Sequence, residues 1–536
     1  MKKIFFTLLF LIVLISAYLG FSFYSSVIAK QKLLTLIEQV NVDLSENKHI
    51  PPNLSISLNH RELENNLLSS QHRIIVSIVP KSELNLPSNQ QNLKRYNLDL
   101  TIESGPFPTS NLVQFDFTPL LSKYTLEIPP SVFDRAFLNR PADIARTDPI
   151  AVMTFSSSFN RNISVSGNFL PFEYSQPKMP IKFNGGNVNF SISAHDIISN
   201  LTMNLEDVDI KLNSPWIPSG HIIDAIVSQS NISPRHHFKF SSFSFKYLAN
   251  PAHNDFNLGD KELNITNFKF NISKYPILGM DNFELKQNEI QRENITEIEN
   301  ALLLDNLIIY GLNFGSGDLT FISLHRSFQD AINFYTNAFN FIVSEESNRT
   351  TINPDPSIDS FLASLESIFR SLEDNPGYQI SPLNWRNSQG EITINSEVLF
   401  ASNLSYNSSN NTTSPYKNIN VFHLDIAAAK GVLPQLITHI DQIMGIEESV
   451  AMSKNSQLVD NNIGLLVNSG VIMLNDNTVR FTFSYANNSY VLNGIPYSRN
   501  QILEFISLVS LRQSGLLSPA NLIKLNGYIA EQTRSN

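Results

Sequence analysis

The sequence contains no cysteine. That excludes disulfides, thiolate metal ligands, a thiol nucleophile and a lipid-modified cysteine anchor. Tryptophan occurs twice and glycine 20 times in 536 residues, whereas phenylalanine occurs 37 times. Charge is scarce too. Only 16% of residues are charged, and 38 basic side chains against 48 acidic ones leave a net charge of −10. Such an acidic chain does not suit a nucleic-acid binder, which needs a basic face. The hydrophobic fraction of 42% is too high for a disordered chain. A chain of this length buries one large core or two to three ordinary ones.

Long hydrophobic runs are absent with one exception. Lys2 and Lys3 precede an uncharged stretch from Ile4 to Ala29, closed by Lys30 and Lys32. Roughly 20 apolar residues cross a bilayer as a helix. Residues 1–29 are therefore expected to form one transmembrane helix, with the N-terminus inside and the rest of the chain outside the cytoplasm. Val27-Ile28-Ala29 also offers a small-x-small cleavage site, so the alternative is a signal peptide. Leu33, Leu34, Leu36, Ile37 and Val40 then continue a helical pattern to Leu44.

Residues 30–325 turn to period two from about Ile74, which predicts strands, among them Arg73–Val79, Asn97–Glu103, Ile163–Asn168 and Val188–Ala194. Three stretches change phase midway. Leu201, Met203 and Leu205 give way to Val208, Ile210 and Leu212. Phe238 and Phe240 give way to Phe243, Phe245 and Tyr247, and Leu263 and Ile265 to Phe268, Phe270 and Ile272. A slip of one residue moves apolar side chains to the other face unless a bulge absorbs it and bends the strand. The readings are long curved antiparallel strands, or pairs of short strands joined by tight turns. Phe238, Phe240, Phe243, Phe245, Phe268 and Phe270 either line an apolar groove on a curved sheet or fill the core between sheet and helices.

Residues 326–375 carry two helical stripes, one through Phe328, Ile332, Tyr335, Phe339 and Ile342 and one from Ile358 to Leu372. Residues 376–536 are mixed. Strands are expected at Glu391–Phe400, Asn418–Ile426 and around Val479–Tyr485, with a polar loop over Ser402–Asn418. Helices are expected from Pro434, over Glu447–Val467, after the capping box Ser498/Gln501, and from Ser518-Pro519. The fold class is α+β: strand-dominated, a long curved antiparallel sheet with packed helices behind an N-terminal transmembrane helix.

No catalytic motif is found. Gly315-Ser316-Gly317 lacks the lysine and glycine spacing of a phosphate loop, and no G-x-S-x-G elbow occurs. The histidines are scattered, the adjacent pair His236-His237 would point to opposite strand faces, and all read as surface imidazoles. Glu206, Asp207 and Asp209 lack the glycine and terminal glutamate of a calcium loop and read as a solvated strand edge. The sequence thus predicts no catalytic residue, no metal and no cofactor. Two segments look specified: the turn Gly105-Pro106-Phe107-Pro108, and Pro382 to Gly390 with Trp385 and Asn387.

These segments carry a resemblance. Ser104-Gly105-Pro106-Phe107-Pro108, the stretch from Ser381 through Pro382, Trp385, Asn387 and Gly390 to Glu391, and Ser484-Tyr485-Ala486-Asn487 leading into Leu492-Asn493-Gly494 follow the order and spacing of the YdgA family. The chain resembles that family of proteobacterial envelope proteins over roughly residues 1–510. The resemblance implies inner-membrane anchoring through residues 4–29 and a periplasmic body, and it implies no reaction. The expected role is non-enzymatic binding or scaffolding in the envelope, with a lipid in the groove as ligand. The alternatives are an interaction module forming a homo-oligomer or joining an envelope protein, and, behind both, a hydrolase of envelope polymers.

Overall fold

The computed structural model describes residues 2–46, 54–66, 68–80, 94–130, 148–174, 180–193, 198–212, 236–250, 259–272, 275–292, 295–325, 377–400, 419–487, 489–513 and 518–535. The helical stripes expected over 326–375 and the polar loop Ser402–Asn418 lie outside the described residues. The chain divides into two compact units, one of residues 1–176 and 180–208, the other of 177–179 and 209–536. The division falls inside the β-rich stretch 30–325.

In the first unit a 45-residue helix, α1 (Lys2–Glu46), precedes strands β1 (Leu54–Asn65), β2 (Ser69–Pro80), β3 (Lys94–Ser104), β4 (Ser122–Ile128), β5 (Ala151–Ser157), β6 (Ile163–Phe169), β7 (Phe172–Tyr174), β8 (Ile181–Ile192) and β9 (Ile198–Leu212), whose residues from Asp209 on are counted with the second unit. A short helix, α2 (Thr109–Val113), follows β3. Strands β1 to β6 pair antiparallel in chain order, and both β6 and β7 pair with β8. β1 precedes every strand read from the sequence; its mixture of Ser, Asn, His, Arg and Glu hides the alternation of Leu54, Ile56 and Leu58.

The C-terminal half of α1 covers this sheet. Ser22, Ser25, Ala29, Leu33 and Ile37 are buried at spacings of three or four, one face of a helix. Ala29, Leu33 and Ile37 pack on Leu100 and Ile102 of β3, with Leu58, Ile74, Tyr124 and Leu126 around them. Asn41 exchanges two hydrogen bonds with the backbone of Leu58, 2.9 and 2.7 Å, and satisfies outward-facing groups of β1. Lys30 reaches Glu62 of the same strand at 2.6 Å.

The second unit continues with β10 (His236–Leu248), β11 (Asp260–Ile272), β12 (Tyr275–Arg292), β13 (Ile295–Ile309), β14 (Leu312–His325), β15 (Gly377–Asn387), β16 (Gly390–Phe400) and β17 (Ile419–Ala429), each antiparallel to the next. Helices α3 (Val432–Ile443) and α4 (Glu448–Asn468) follow, then β18 (Met473–Asn475), β19 (Thr478–Ala486), β20 (Ser489–Leu492), β21 (Ile495–Tyr497), α5 (Arg499–Gln513) and α6 (Pro519–Ser535). β19 pairs with β17, β18 and β20. A core of Leu492, Ile495, Tyr497, Ile502, Phe505, Leu508, Val509 and Leu525 ties the last strands to α5 and α6. The capping box is present: Ser498 N–H donates to Gln501 Oε1 at 2.8 Å, and Gln501 N–H donates back to Ser498 Oγ at 3.4 Å.

The phase slips resolve in favour of long strands. β9 runs unbroken for 15 residues and β10 and β11 for 13 each. Asp207 and Asn267, at the slips of β9 and β11, have φ of +42° and +51°. Asn and Asp tolerate this left-handed backbone better than other side chains. The residue resets the alternation without ending the strand.

Candidate functional site

Asn306 of β13, Asn313, Gly315 and Ser316 of β14, Arg386 and Asn387 of β15, Ser388 of the following turn, and Gln435 and His439 of α3 line a pocket of 440 Å³. Two of the residues singled out in the sequence build it from beneath. Trp385 Nε1 donates to the carbonyl of Phe314 at 3.1 Å, and its ring lies so close to Gly317 that a Cβ there would stand 2.5 Å from a ring carbon. Asn387 clamps the turn from both sides: its Oδ1 accepts from Gln389 N–H at 2.9 Å, and its Nδ2 donates to the Val432 carbonyl at 3.2 Å. Gln435 Nε2 adds a bond to Ser388 Oγ at 2.7 Å. Gly390 has φ +132° and packs on Ala429 and Val432. Pro382, after a cis peptide bond, sits where the pairing of β15 with β14 and β16 shifts register. A residue without an N–H suits such an irregularity.

The rim is amide-rich. Asn313 Nδ2 donates to Asn306 Oδ1 at 2.8 Å, Asn306 Nδ2 donates to Asp281 Oδ2 at 2.9 Å, and Ser316 Oγ accepts from Asn306 N–H at 2.9 Å. Arg386 pairs through Nε with Glu391 at 3.2 Å, both side chains being well exposed. Among the described residues no carboxylate lines the cavity. Burial lowers the pKa of His439, and its ring meets Phe314 edge-on at 5.2 Å. The lining therefore presents amides, hydroxyls, a neutral imidazole and one guanidinium. It suits a polar, neutral or anionic ligand.

The first motif does a different job. Gly105 has φ +124°, and a Cβ there would lie 2.3 Å from Ser22 Oγ. Glycine lets α1 press onto the turn. Tyr18 of α1 donates its hydroxyl to the Phe107 carbonyl at 2.9 Å, and Pro108 is buried. Gly105-Pro106-Phe107-Pro108 is thus the seat of α1. The third motif is structural as well. Asn493, buried with φ +50°, accepts from Thr482 N–H at 3.0 Å and donates to the Val471 carbonyl at 3.0 Å.

The phenylalanines sit apart from the pocket, on β10 and β11. Phe238 and Phe270 face each other across the strand pair with ring centroids 4.5 Å apart. Phe240, Phe243, Phe245 and Phe268 are half-buried like them.

The expectation of surface imidazoles fails at three positions. His72, His236 and His325 are buried. His72 is satisfied on both ring nitrogens, by Ser70 Oγ and by His60 Nε2, each at 2.7 Å, which offsets the cost of burial. The order Ser70–His72–His60 mimics a proton relay, but Ser70 is itself buried. Burial is the main cause holding both imidazoles below their ordinary pKa, and each also feels Glu62 and Lys30. Among the described residues no group of three acids or histidines is arranged to hold a metal. Asp209 of the acidic cluster pairs with His237 at 2.9 Å. The pairing of His60 with His72 and the gathering of Asn306, Asn313, Gln435 and His439 went unread in the sequence.

Among the described residues no helix is long and apolar enough to cross a membrane. The side chains of residues 2–17, which carry most of the apolar run, lie outside that description. A family model described as a bacterial protein of unknown function (DUF945) matches residues 1–498. Protein YdgA of Escherichia coli (strain K12) is 20% identical over 92% of this chain and 94% of its own. The uncharacterized protein YihF of the same organism is 18% identical over 76% of this chain and 79% of its own. No solved structure matches.

Proposed function

We propose a non-catalytic, membrane-tethered envelope role for this chain, which belongs to the DUF945 family of bacterial proteins of unknown function. In this reading α1 crosses the inner membrane once, and the body stands on the periplasmic side as a binding or scaffold element. The carrying observation is the division of α1. Its first part is the apolar run Ile4–Leu19 behind Lys2 and Lys3, and from Tyr18 onward one face is committed to the sheet. A helix of that apolar length reaches roughly 24 Å at ~1.5 Å per residue. That is short of a ~30 Å hydrocarbon core, a gap that snorkelling lysines and local thinning close. The span so defined is shorter than the 4–29 stretch, because residues 22–29 pack on the first unit. The polar pocket at Arg386, Asn387 and Ser388 is the seat for a polar envelope ligand.

The test is carbonate extraction of membranes from cells making the full chain, with protease added to spheroplasts. Retention in the membrane with a body open to protease from outside supports the reading; release by carbonate, or a protected body, refutes it. A second reading, an apolar ligand against the half-buried Phe238/Phe270 row, is tested by native mass spectrometry with lipid extraction on the detergent-purified full chain. A lipid lost on changing Phe240 and Phe245 to Asp supports it, and an apo mass refutes it.

A further inference from the structure

The segment after the α1 seat combines a hydrogen-bond network with a row of exposed apolar side chains. Asn111 is buried and Ser110 half-buried, while Thr109, Gln114, Asp116 and Thr118 are exposed. Glu103, buried at the end of β3, accepts from Thr109 Oγ1 at 2.5 Å, from Ser110 N–H at 3.0 Å and from the Ser110 hydroxyl. Lys123 donates to Ser110 Oγ at 2.8 Å and to Asn111 Oδ1 at 2.6 Å. Asn111, itself buried, donates to Asp116 at 3.0 Å, and Asp116 accepts again from the backbone and hydroxyl of Thr118. The apolar side chains of the same segment point outward: Val113 is 80% exposed, Phe115 83% and Phe117 63%. Three large apolar side chains exposed within five residues, on a loop fixed by the bonds of Glu103 and Asn111, mark an interaction surface.

Position says which surrounding. This loop lies at the end of the first unit where α1 arrives from its apolar run. Tyr18 bonds Phe107, Gly105 abuts Ser22, and Phe21 packs on Phe159 with ring centroids 5.4 Å apart. Phe159 is itself half exposed, in the turn after β5, beside the exposed Arg161. The exposed side chains thus follow the turns that Tyr18, Phe21 and Ser22 contact, at the end of the apolar run in sequence. An exposed apolar face carrying phenylalanine can bury at the headgroup–acyl boundary of a bilayer, and a neighbouring arginine can meet anionic headgroups.

We propose that Val113, Phe115, Phe117 and Phe159 form a collar that inserts into the headgroup region of the membrane α1 crosses. The body is then held upright on the bilayer at two points, the helix and the collar. The inference rests on the anchoring reading of α1, and its test separates the two. Because the chain has no cysteine, single cysteines label uniquely. Val113→Cys, Phe117→Cys, Asn97→Cys and Leu11→Cys are made in the full chain. Each is spin-labelled and reconstituted in vesicles of phosphatidylethanolamine and phosphatidylglycerol, and collisions with oxygen and with a water-soluble nickel chelate give the depth of each label. Labels at 113 and 117 at shallow membrane depth, with 97 in water and 11 deep, are the expected result. Labels at 113 and 117 as aqueous as 97 while 11 is deep overturn the collar and leave the anchor standing. An aqueous label at 11 overturns both. Labels at 113 and 117 shielded from both reagents mean a protein partner, a second copy included, and overturn the membrane as occupant.

Discussion

Replacing Gly105 by alanine tests whether the first motif exists to seat α1. Two costs are expected. The backbone at φ +124° disfavours any Cβ, which costs about 1–2 kcal/mol. The new methyl would also lie 2.3 Å from Ser22 Oγ and 3.2 Å from Ser22 Cβ, an overpacking that costs roughly 1–3 kcal/mol. Together they amount to about 2–5 kcal/mol. Ser22→Ala separates them. Its hydroxyl is buried without a hydrogen-bond partner among the described residues, so its removal is neutral or slightly stabilising by the usual cost of an unsatisfied group. In that background the penalty of Gly105→Ala falls by about 1 kcal/mol, the coupling expected of touching residues, while the backbone part remains. Neither tryptophan lies in the first unit, so the readout is amide hydrogen exchange of α1 and β3 in detergent. An opening made easier by ~2 kcal/mol exchanges roughly 30-fold faster. Exchange within threefold of wild type, or a Gly105→Ala penalty unchanged by Ser22→Ala, refutes the seat.

Two further outcomes follow from the same packing. Since His60 and His72 are held below their ordinary pKa, the unfolded chain binds more protons than the folded one, and stability rises with pH. The first unit should therefore lose protection as pH falls below the ordinary imidazole value of 6.5, and His72→Gln should flatten that loss in exchange rates measured from pH 7.5 to 5. In the second unit, Asn387→Ala removes both clamps on the turn of Ser388 and Gln389 and should cost about 0.5–1.5 kcal/mol per bond lost. Denaturation followed by tryptophan fluorescence reads it, and a midpoint equal to wild type counts against the clamp.

What the sequence made legible was local. The phase change from Leu263 and Ile265 to Phe268 and Phe270 predicted an irregularity, and the left-handed Asn267 sits there. Alternation alone left a turn equally open, because nothing local says whether partners pair on both sides of Asn267; β10 and β12 do. The pocket was out of reach for a different reason. Asn306, Arg386 and His439 lie on β13, β15 and α3, and only the register of β14 against β15 brings Ser316 opposite Arg386. The motif at Trp385 marked the place, and the partners that complete it carry no pattern of their own.

The N-terminal helix shows most clearly what composition hides. An uncharged run from Ile4 to Ala29 reads as a single apolar object, since hydropathy counts serine and alanine as tolerable in a span. The spacing of Ser22, Ser25 and Ala29 with Leu33 and Ile37 carries the opposite message. Small residues repeating every three or four positions, in phase with larger apolar ones, let a helix lie close against a surface. Here that surface is β3, and Gly105 removes the last obstacle to contact. The same strand end carries Glu103, which holds Thr109 and Ser110 of the next loop. The fifteen residues from Glu103 to Phe117 therefore do two things at once. They seat α1 at Tyr18 and Ser22, and they leave Val113, Phe115 and Phe117 exposed.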